Sequence, residues 1–336
     1  MASERDKVPV LVAETDDVRP FARLLRGIGL KHHASMTISG AGFEVTVEEA
    51  RSMSATAWVP ANLFTEFTFG DDEPACFEIS LDALLQSLNI FGNAGGGAGV
   101  VPSVGGGSKK RRWAGEGEER DDEDGWRARG RERRTGMRLT WLGTGYPLSI
   151  LLRDDAKGPV TNCELFTLEP DELVNQAFDE ANRSVYLIMK SAWFRDALLD
   201  LPPSCQRVTF RARPQGETVA DSRTTSVRAR KLAESGSFSI FAEGDFGTVQ
   251  FDYPYDAEVM DAFECEEAVT FSYHASHVAL LGRAVQHSAK ICLQIETTGF
   301  LSVQVMMPLS ENQPPELNNG ILDFKMNALD EEEEDE

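Results

Sequence analysis

The stretch VTFSYHASHVALLGRAVQHSAKICLQIETTGFLSVQVM, Val269–Met306, decides how the chain is read. Val269–Tyr273 alternates apolar and polar residues, as a strand with one buried face does. The period then lengthens: Val278, Leu281 and Val285 fall on one face, which predicts a helix over Ser276–His287. Lys290–Glu296 and Leu301–Met306 return to strand patterning, and Ile321–Met326 supplies a third such run. The unit is a strand, a helix and three strands. The stretch CFEISLDALLQSLNIF, Cys76–Phe91, opens a second copy of it: a strand at Cys76–Ile79, then a helix over Leu81–Phe91 whose core face is Leu81, Leu84, Leu85 and Leu88. Its three strands follow at Arg138–Leu142, Pro147–Leu152 and Thr161–Leu168.

Upstream of each copy the order also matches. Val8–Ala13 reads as a strand and Asp16–Ile28 as a helix, with Val18, Phe21, Leu25 and Ile28 on one stripe. Strands at His33–Ser39, Gly42–Val47 and Ala55–Val59 come next. The later half offers Val185–Met189, a helix over Ala192–Leu201, then Arg207–Arg211, Phe238–Ala242 and Thr248–Tyr253. Helices separated by runs of hairpin-linked strands predict an α+β fold with antiparallel sheets, and not alternating βαβ units.

Three stretches stand outside this pattern. Residues 93–136 are Gly-rich, then alternately basic and acidic, and read as a disordered insertion whose Lys109–Arg112 cluster has the composition of a nuclear-localisation signal. Residues 214–235 read as a long loop, and residues 329–336 as an acidic tail. The five cysteines are scattered, with no Cys-x-x-Cys pair, so neither a disulfide framework nor a zinc site is indicated and a reducing compartment is expected. No apolar run approaches the roughly 18 residues of a membrane span, so no membrane association is expected.

The formal net charge is −22. A uniformly acidic surface would repel nucleic acid, so the location of the charge matters more than its sum. Arg19, Arg23 and Arg26 repeat at helical spacing beside the apolar stripe of the first helix. Arg283 and His287 on the last helix, with Lys290 just beyond, lie off its apolar stripe, and no acid occurs between His274 and Lys290. Both helices thus present basic faces, and the repeat predicts equivalent positions for them. Such faces are common on ordinary solvated helices; they also fit a surface that neutralises phosphates without reading sequence.

Five short motifs carry a family likeness: Thr46-Val47-Glu48-Glu49-Ala50, Ile90-Phe91-Gly92, Gly145-Tyr146-Pro147-Leu148, Phe251-Asp252-Tyr253-Pro254 and Gly299-Phe300-Leu301-Ser302. In order and context they resemble the Rad-one-type subunit of the heterotrimeric DNA-damage checkpoint clamp, a ring similar to proliferating cell nuclear antigen. The resemblance implies two tandem sliding-clamp domains with helices on the inner face of antiparallel sheets. The first would span 1–168 and the second 184–328, joined by a connector at 169–183 near which partners dock. It further implies Rad-nine-type and Hus-one-type neighbours, a clamp loader, sequence-independent contact with double-stranded DNA and a nuclear location. Arg19, Arg23, Arg26, Arg283 and Lys290 would face the DNA. Thr161, Cys163 and Leu165 on one sheet edge and Thr248, Gln250 and Asp252 on another would meet the neighbouring subunits.

Members of that family have been described as 3′ to 5′ exonucleases. A two-metal nuclease needs several carboxylates converging on its ions. Asp121–Asp124 and the tail fall in stretches read as disordered, and Glu264, Glu266 and Glu267 read as a solvated strand entry. His32, His33, His274 and His277 have no partners at metal-ligand spacing, and no phosphate-binding Gly-rich loop is present. A non-catalytic protein without metal or cofactor is therefore expected, with an exonuclease or an acidic protein-binding scaffold as the alternatives.

Overall fold

The computed structural model describes residues 7–92, 94, 134–154, 158–173, 177–215, 236–309 and 319–330. The expected insertion and long loop fall largely outside the described residues, as do the Lys109–Arg112 cluster and all but the first two residues of the acidic tail.

The elements form two runs in the same order. The first is β1 (Leu11–Thr15), α1 (Arg19–Gly27), β2 (His33–Ser39), β3 (Gly42–Glu49), β4 (Met53–Pro60), β5 (Glu66–Phe69), β6 (Ala75–Ser80), α2 (Leu81–Leu88), β7 (Thr135–Trp141), β8 (Leu148–Asp154) and β9 (Val160–Leu165). The second is β10 (Arg183–Lys190), α3 (Ser191–Leu199), β11 (Arg207–Arg213), β12 (Ser237–Gly244), β13 (Gly247–Pro254), β14 (Met260–Cys265), β15 (Val269–His274), α4 (Ala275–Val285), β16 (Lys290–Glu296), β17 (Leu301–Pro308) and β18 (Asn319–Met326). Every described strand pairing is antiparallel.

The predicted elements are present, with shifted ends. The first helix begins at Arg19 and not at Asp16. Pro20 favours a helix start because its missing N–H is one that a first turn leaves unpaired. The Asp17 carboxylate accepts the Arg19 N–H at 3.0 Å, which satisfies another. Ser80 caps α2 by accepting the Ala83 N–H, and Asp82 in the first turn complements the helix dipole. Two strands, β5 and β14, were not predicted; they hold the same place in the two runs.

Strand order makes that correspondence quantitative. One sheet runs β5-β1-β7-β8-β9 and another runs β13-β12-β11-β15. The third joins their counterparts in nine strands, β14-β10-β16-β17-β18-β4-β3-β2-β6. The junction is β18 against β4, with Ile321 opposite Trp58 and Met326 opposite Met53.

Helices cover one face of this long sheet. α1 packs on β4 and β18, α4 on β11, β15 and β18, and α1 touches both α2 and α4 while α4 touches α3. Ile28, Leu24, Leu281, Val285, Leu322 and Phe324 are fully buried between helices and strands. A further apolar group, Phe21, Phe43, Phe64 and Phe67, has ring centroids 5.4–6.0 Å apart and ties α1 to β3 and β5. The opposite face of the junction is polar: Thr46 bonds Thr56 at 3.0 Å, and Ser302 donates to Asp323 at 2.8 Å.

Two positions at the junction give direct tests. A Cβ on Gly27 would lie 2.3 Å from Leu322 Cδ1, so α1 approaches β18 only because no side chain intervenes. Gly27→Val is expected to destabilise the fold by about 2 kcal/mol through overpacking, read as a lowered midpoint in thermal or urea unfolding. Asp323 has its pKa raised by burial, opposed by the Ser302 hydroxyl and by Lys325. A carboxyl with a raised folded pKa binds protons more tightly folded than unfolded, so its unfavourable contribution grows as pH rises through the carboxylate range. Asp323→Asn is therefore expected to raise the melting temperature at pH 7, with the gain shrinking as the pH falls through that range.

Candidate nucleic-acid interface and sheet edges

The arginines of α1 sit on the side of that helix turned from its apolar stripe, all partly exposed. Arg19 forks onto Asp17, with Nη2 2.7 Å from Oδ2. Arg23 Nη1 donates weakly to the Pro308 carbonyl at 3.4 Å. Arg26 is half-buried, and its pKa is pushed down first by burial and then by Arg23 alongside. From α4, Arg283 Nη1 donates to the Gly29 carbonyl at 3.2 Å, just past the end of α1. Carbonyls there carry the negative end of the helix dipole, so Arg283 and Arg26 are held where cations are favoured. A guanidinium has five N–H donors, so these contacts leave capacity for an external anion.

The arrangement corrects two sequence-based expectations. α1 corresponds in order to α3, and α4 to α2, so the basic helices are not in equivalent positions; they are neighbours across the β18–β4 junction. On α3 the single arginine, Arg195, is tied to Asp196 at 3.2 Å. Lys290 is not brought to the arginines either. It lies opposite Met306, in register with Ile321 and Trp58, whereas the neighbouring row Ile291, Val305 and Leu322 is the one beneath the helices. Strand alternation therefore turns Lys290 to the far face, where it pairs with Asp261 at 3.0 Å.

The strands expected at subunit contacts are both sheet edges. Among the described residues β9 and β13 each have a strand on one side only. Cys163 and Leu165 pack against the core, and Thr161 is half-buried. Thr248, Gln250 and Asp252 are exposed; Asp252 accepts from Ser239 Oγ and Gln250 Nε2, both at 2.8 Å. Two further residues stand out at these edges: Phe166, inside the expected Thr161–Leu168 run though not singled out there, and Phe246, which the sequence reading did not include. Phe166, directly after β9, is 85% exposed, and Phe246, in the β12–β13 turn, is 101% exposed. An aromatic in a two-residue turn, where polar residues usually sit, was the available signal for Phe246.

The described parts of the expected connector, 169–173 and 177–183, lie against the polar face. Leu168 pairs with Glu78 at one end, and at the other the Asp179 N–H donates to Glu296 at 2.7 Å while Phe178 stacks on Phe300. Leu173, Ala177, Phe178 and Glu180 overlie a cavity of about 610 Å³ that reaches Asp323 and Lys325.

Of the carboxylates weighed for nuclease chemistry, Asp121–Asp124 and residues 331–336 of the tail lie outside the described residues. Glu264 pairs with Arg183 at 3.0 Å, while Glu266 and Glu267 are exposed after β14. His32 pairs with Asp82 and His33 with Glu78. His277 is held low by burial and by His274 beside it, their ring centroids 5.2 Å apart. Among the described residues no three His, Cys, Asp or Glu converge to hold a metal ion. No described helix is long and apolar enough to cross a membrane.

Comparison with known proteins supplies the remaining context. A family model described as "Repair protein Rad1/Rec1/Rad17" matches residues 10–307. The chain is 27% identical over 303 residues to the human "Cell cycle checkpoint protein RAD1", covering 90% of this chain and 88% of the relative. It is 26% identical to the Schizosaccharomyces pombe "DNA damage checkpoint control protein rad1", covering 88% and 80%. A more distant similarity, 22% with 91% and 89% coverage, is to the Mycosarcoma maydis "DNA repair exonuclease REC1".

Proposed function

The chain belongs to the Rad1/Rec1/Rad17 repair-protein family, and from that footing we propose that it is a non-catalytic subunit of a heterotrimeric, DNA-encircling checkpoint clamp. Its work in the nucleus would be DNA-damage signalling and repair, in line with the checkpoint names of its relatives and the repair name of its family. Residues 1–168 and 184–328 are assigned as tandem clamp domains joined by the connector at 169–183.

One observation carries this reading: β18 pairs with β4 inside the chain, while their counterparts β9 and β13 stand at edges. A β9-type edge fits a β13-type edge on another molecule as β18 fits β4. Such a contact is heterologous, and a rotation that closes yields a ring. Closure also protects edges that would otherwise invite uncontrolled pairing. Rad-nine-type and Hus-one-type subunits are the proposed neighbours, assembled on DNA by a clamp loader. The helix row α2, α1, α4, α3 would line the hole. Arg19, Arg23, Arg26 and Arg283 then meet phosphates, which position the ring without reading sequence; Lys290 is left out of this set by its place on the far face.

With the two neighbours present, an equimolar three-chain complex is expected by mass photometry, and its absence would remove the ring reading. Charge reversal at Arg23, Arg26 and Arg283 should leave assembly intact, weaken retention on closed circular DNA at least tenfold and flatten the salt dependence by roughly 2–3 in log–log slope. An unchanged slope would remove these residues from the DNA surface and favour a scaffold without DNA contact.

The name of the Mycosarcoma maydis relative keeps an exonuclease as the second reading. Glu264, Glu266 and Glu267 are the carboxylates to test. Metal-dependent digestion of a 3′-labelled duplex that is lost on changing them to Gln, with unfolding unchanged, would establish it; the clamp reading expects no digestion attributable to them.

A further inference from the structure

The junction of β18 with β4 is a template for the two edges, and it extends one residue beyond the strands. Past Met326, the Asn327 N–H donates to the Ser52 carbonyl at 3.1 Å. Ser52 is the turn residue just before β4, as Phe246 is just before β13. β4 and β13 are both eight residues long and both end in proline, Pro60 and Pro254, so these two positions correspond.

The other side of the template is fixed independently. Leu165 ends β9 opposite Leu148, and Met326 ends its strand opposite Leu301; Leu148 and Leu301 each open the preceding strand. Phe166 therefore corresponds to Asn327. Two residues on, Leu168 bonds to Glu78, the fourth residue of β6, and Leu329 bonds to Ser272, the fourth residue of β15. The correspondence thus holds through three consecutive residues beyond the strand.

The most exposed aromatics among the described residues consequently occupy the two positions that meet across the internal junction. We propose that Phe166 and Phe246 are apolar anchors of two different subunit contacts, each covered by the matching strand end of a neighbouring clamp-type chain. The inference rests on the ring reading above and adds to it the end of each edge where the apolar contact concentrates.

In the internal register, Val160–Leu165 would run against a neighbour's counterparts of Asp252–Gly247, bringing Phe166 to that neighbour's turn. Phe246 would meet the residue following the β9-type strand of the other neighbour. Both contacts call for an apolar or aromatic side chain from the partner at that point. A phenylalanine left in water at an edge gains by such burial, and a few buried aromatic anchors typically carry most of a contact's binding energy.

The test uses the full chain with purified Rad-nine-type and Hus-one-type subunits, mixed pairwise and three-way. Phe246→Glu is expected to weaken one binary complex at least tenfold and leave the other within twofold. Phe166→Glu should do the reverse. Both side chains are exposed, so both variants should melt with the wild type, and Phe→Ala at each position should show the same partner selectivity in weaker form. The proposal is overturned if both Glu variants keep both binary complexes within twofold, or if a variant with wild-type melting loses both. An intact three-chain ring in the Glu variants would reject the anchors alone. A wild-type chain that forms no three-chain complex, or that forms rings with itself, would reject the heterotrimer reading on which they rest.

Discussion

The antiparallel pairing of β18 with β4 governs the rest of the molecule. It converts two incomplete sheets into one of nine strands and satisfies backbone groups that would otherwise face solvent. Its register is strongly specified, because a one-residue slip would turn Leu322 and Phe324 away from the helices and bring Asp323 and Lys325 beneath them. The polar network on the other face, with Ser302 bonded to Asp323, would be broken by the same slip. Both faces of the junction therefore specify one alignment. That alignment sets α1 beside α4, and it gathers arginines from distant parts of the sequence at the end of α1.

A protein that solves one strand junction internally and leaves the corresponding edges unpaired carries a specific liability. Unpaired N–H and C=O groups recruit other strands, and the apolar side chains at the ends of β9 and β13 add to the attraction. A strongly acidic chain offers some protection, since like charge slows indiscriminate association. The same charge does not preclude a cationic surface. At physiological ionic strength, fields between exposed charges are screened over about 8 Å, so four arginines on two adjacent helices act on a nearby phosphate largely by themselves. Half-burial of Arg26 beside Arg23 disfavours its charge, and an incoming phosphate would relieve that repulsion.

Much of the fold was legible because helix stripes and strand alternation are local. Val18, Phe21, Leu25 and Ile28 are all fully buried, and β16 spans the predicted Lys290–Glu296. β5 and β14 were missed for related reasons. Both bury little: Glu66–Phe69 alternates but is only four residues long and has no buried residue, while Met260–Cys265 lacks strict alternation and buries only Met260. What makes β5 a strand is contact with distant parts of the chain, the pairing with β1 and the packing of Phe67 on Phe43. Lys290 shows the opposite failure. Its strand was read correctly, but which face a residue occupies depends on the sheet it joins, and basic character near a helix end was taken for position on the helix side.

The candidate surfaces were less legible than the fold because they are relations between distant segments. Arg283 lies 254 positions from the Gly29 carbonyl it binds, and no periodicity within either helix foretells that contact. The edges were read from the resemblance, since nothing in Val160–Leu165 or Gly247–Pro254 distinguishes an unpaired strand from a paired one. What exposes them is a comparison the sequence cannot make: two runs of elements, equivalent strand by strand, of which one pair is joined and its counterpart is not. The asymmetry has a physical consequence. If both pairs closed within one chain, neither β9 nor β13 would be left with unpaired backbone groups. Because, among the described residues, β18 and β4 are joined while β9 and β13 are not, pairing of those edges in the same register calls for a complementary edge on another molecule, and the proposed ring follows from the direction of each edge.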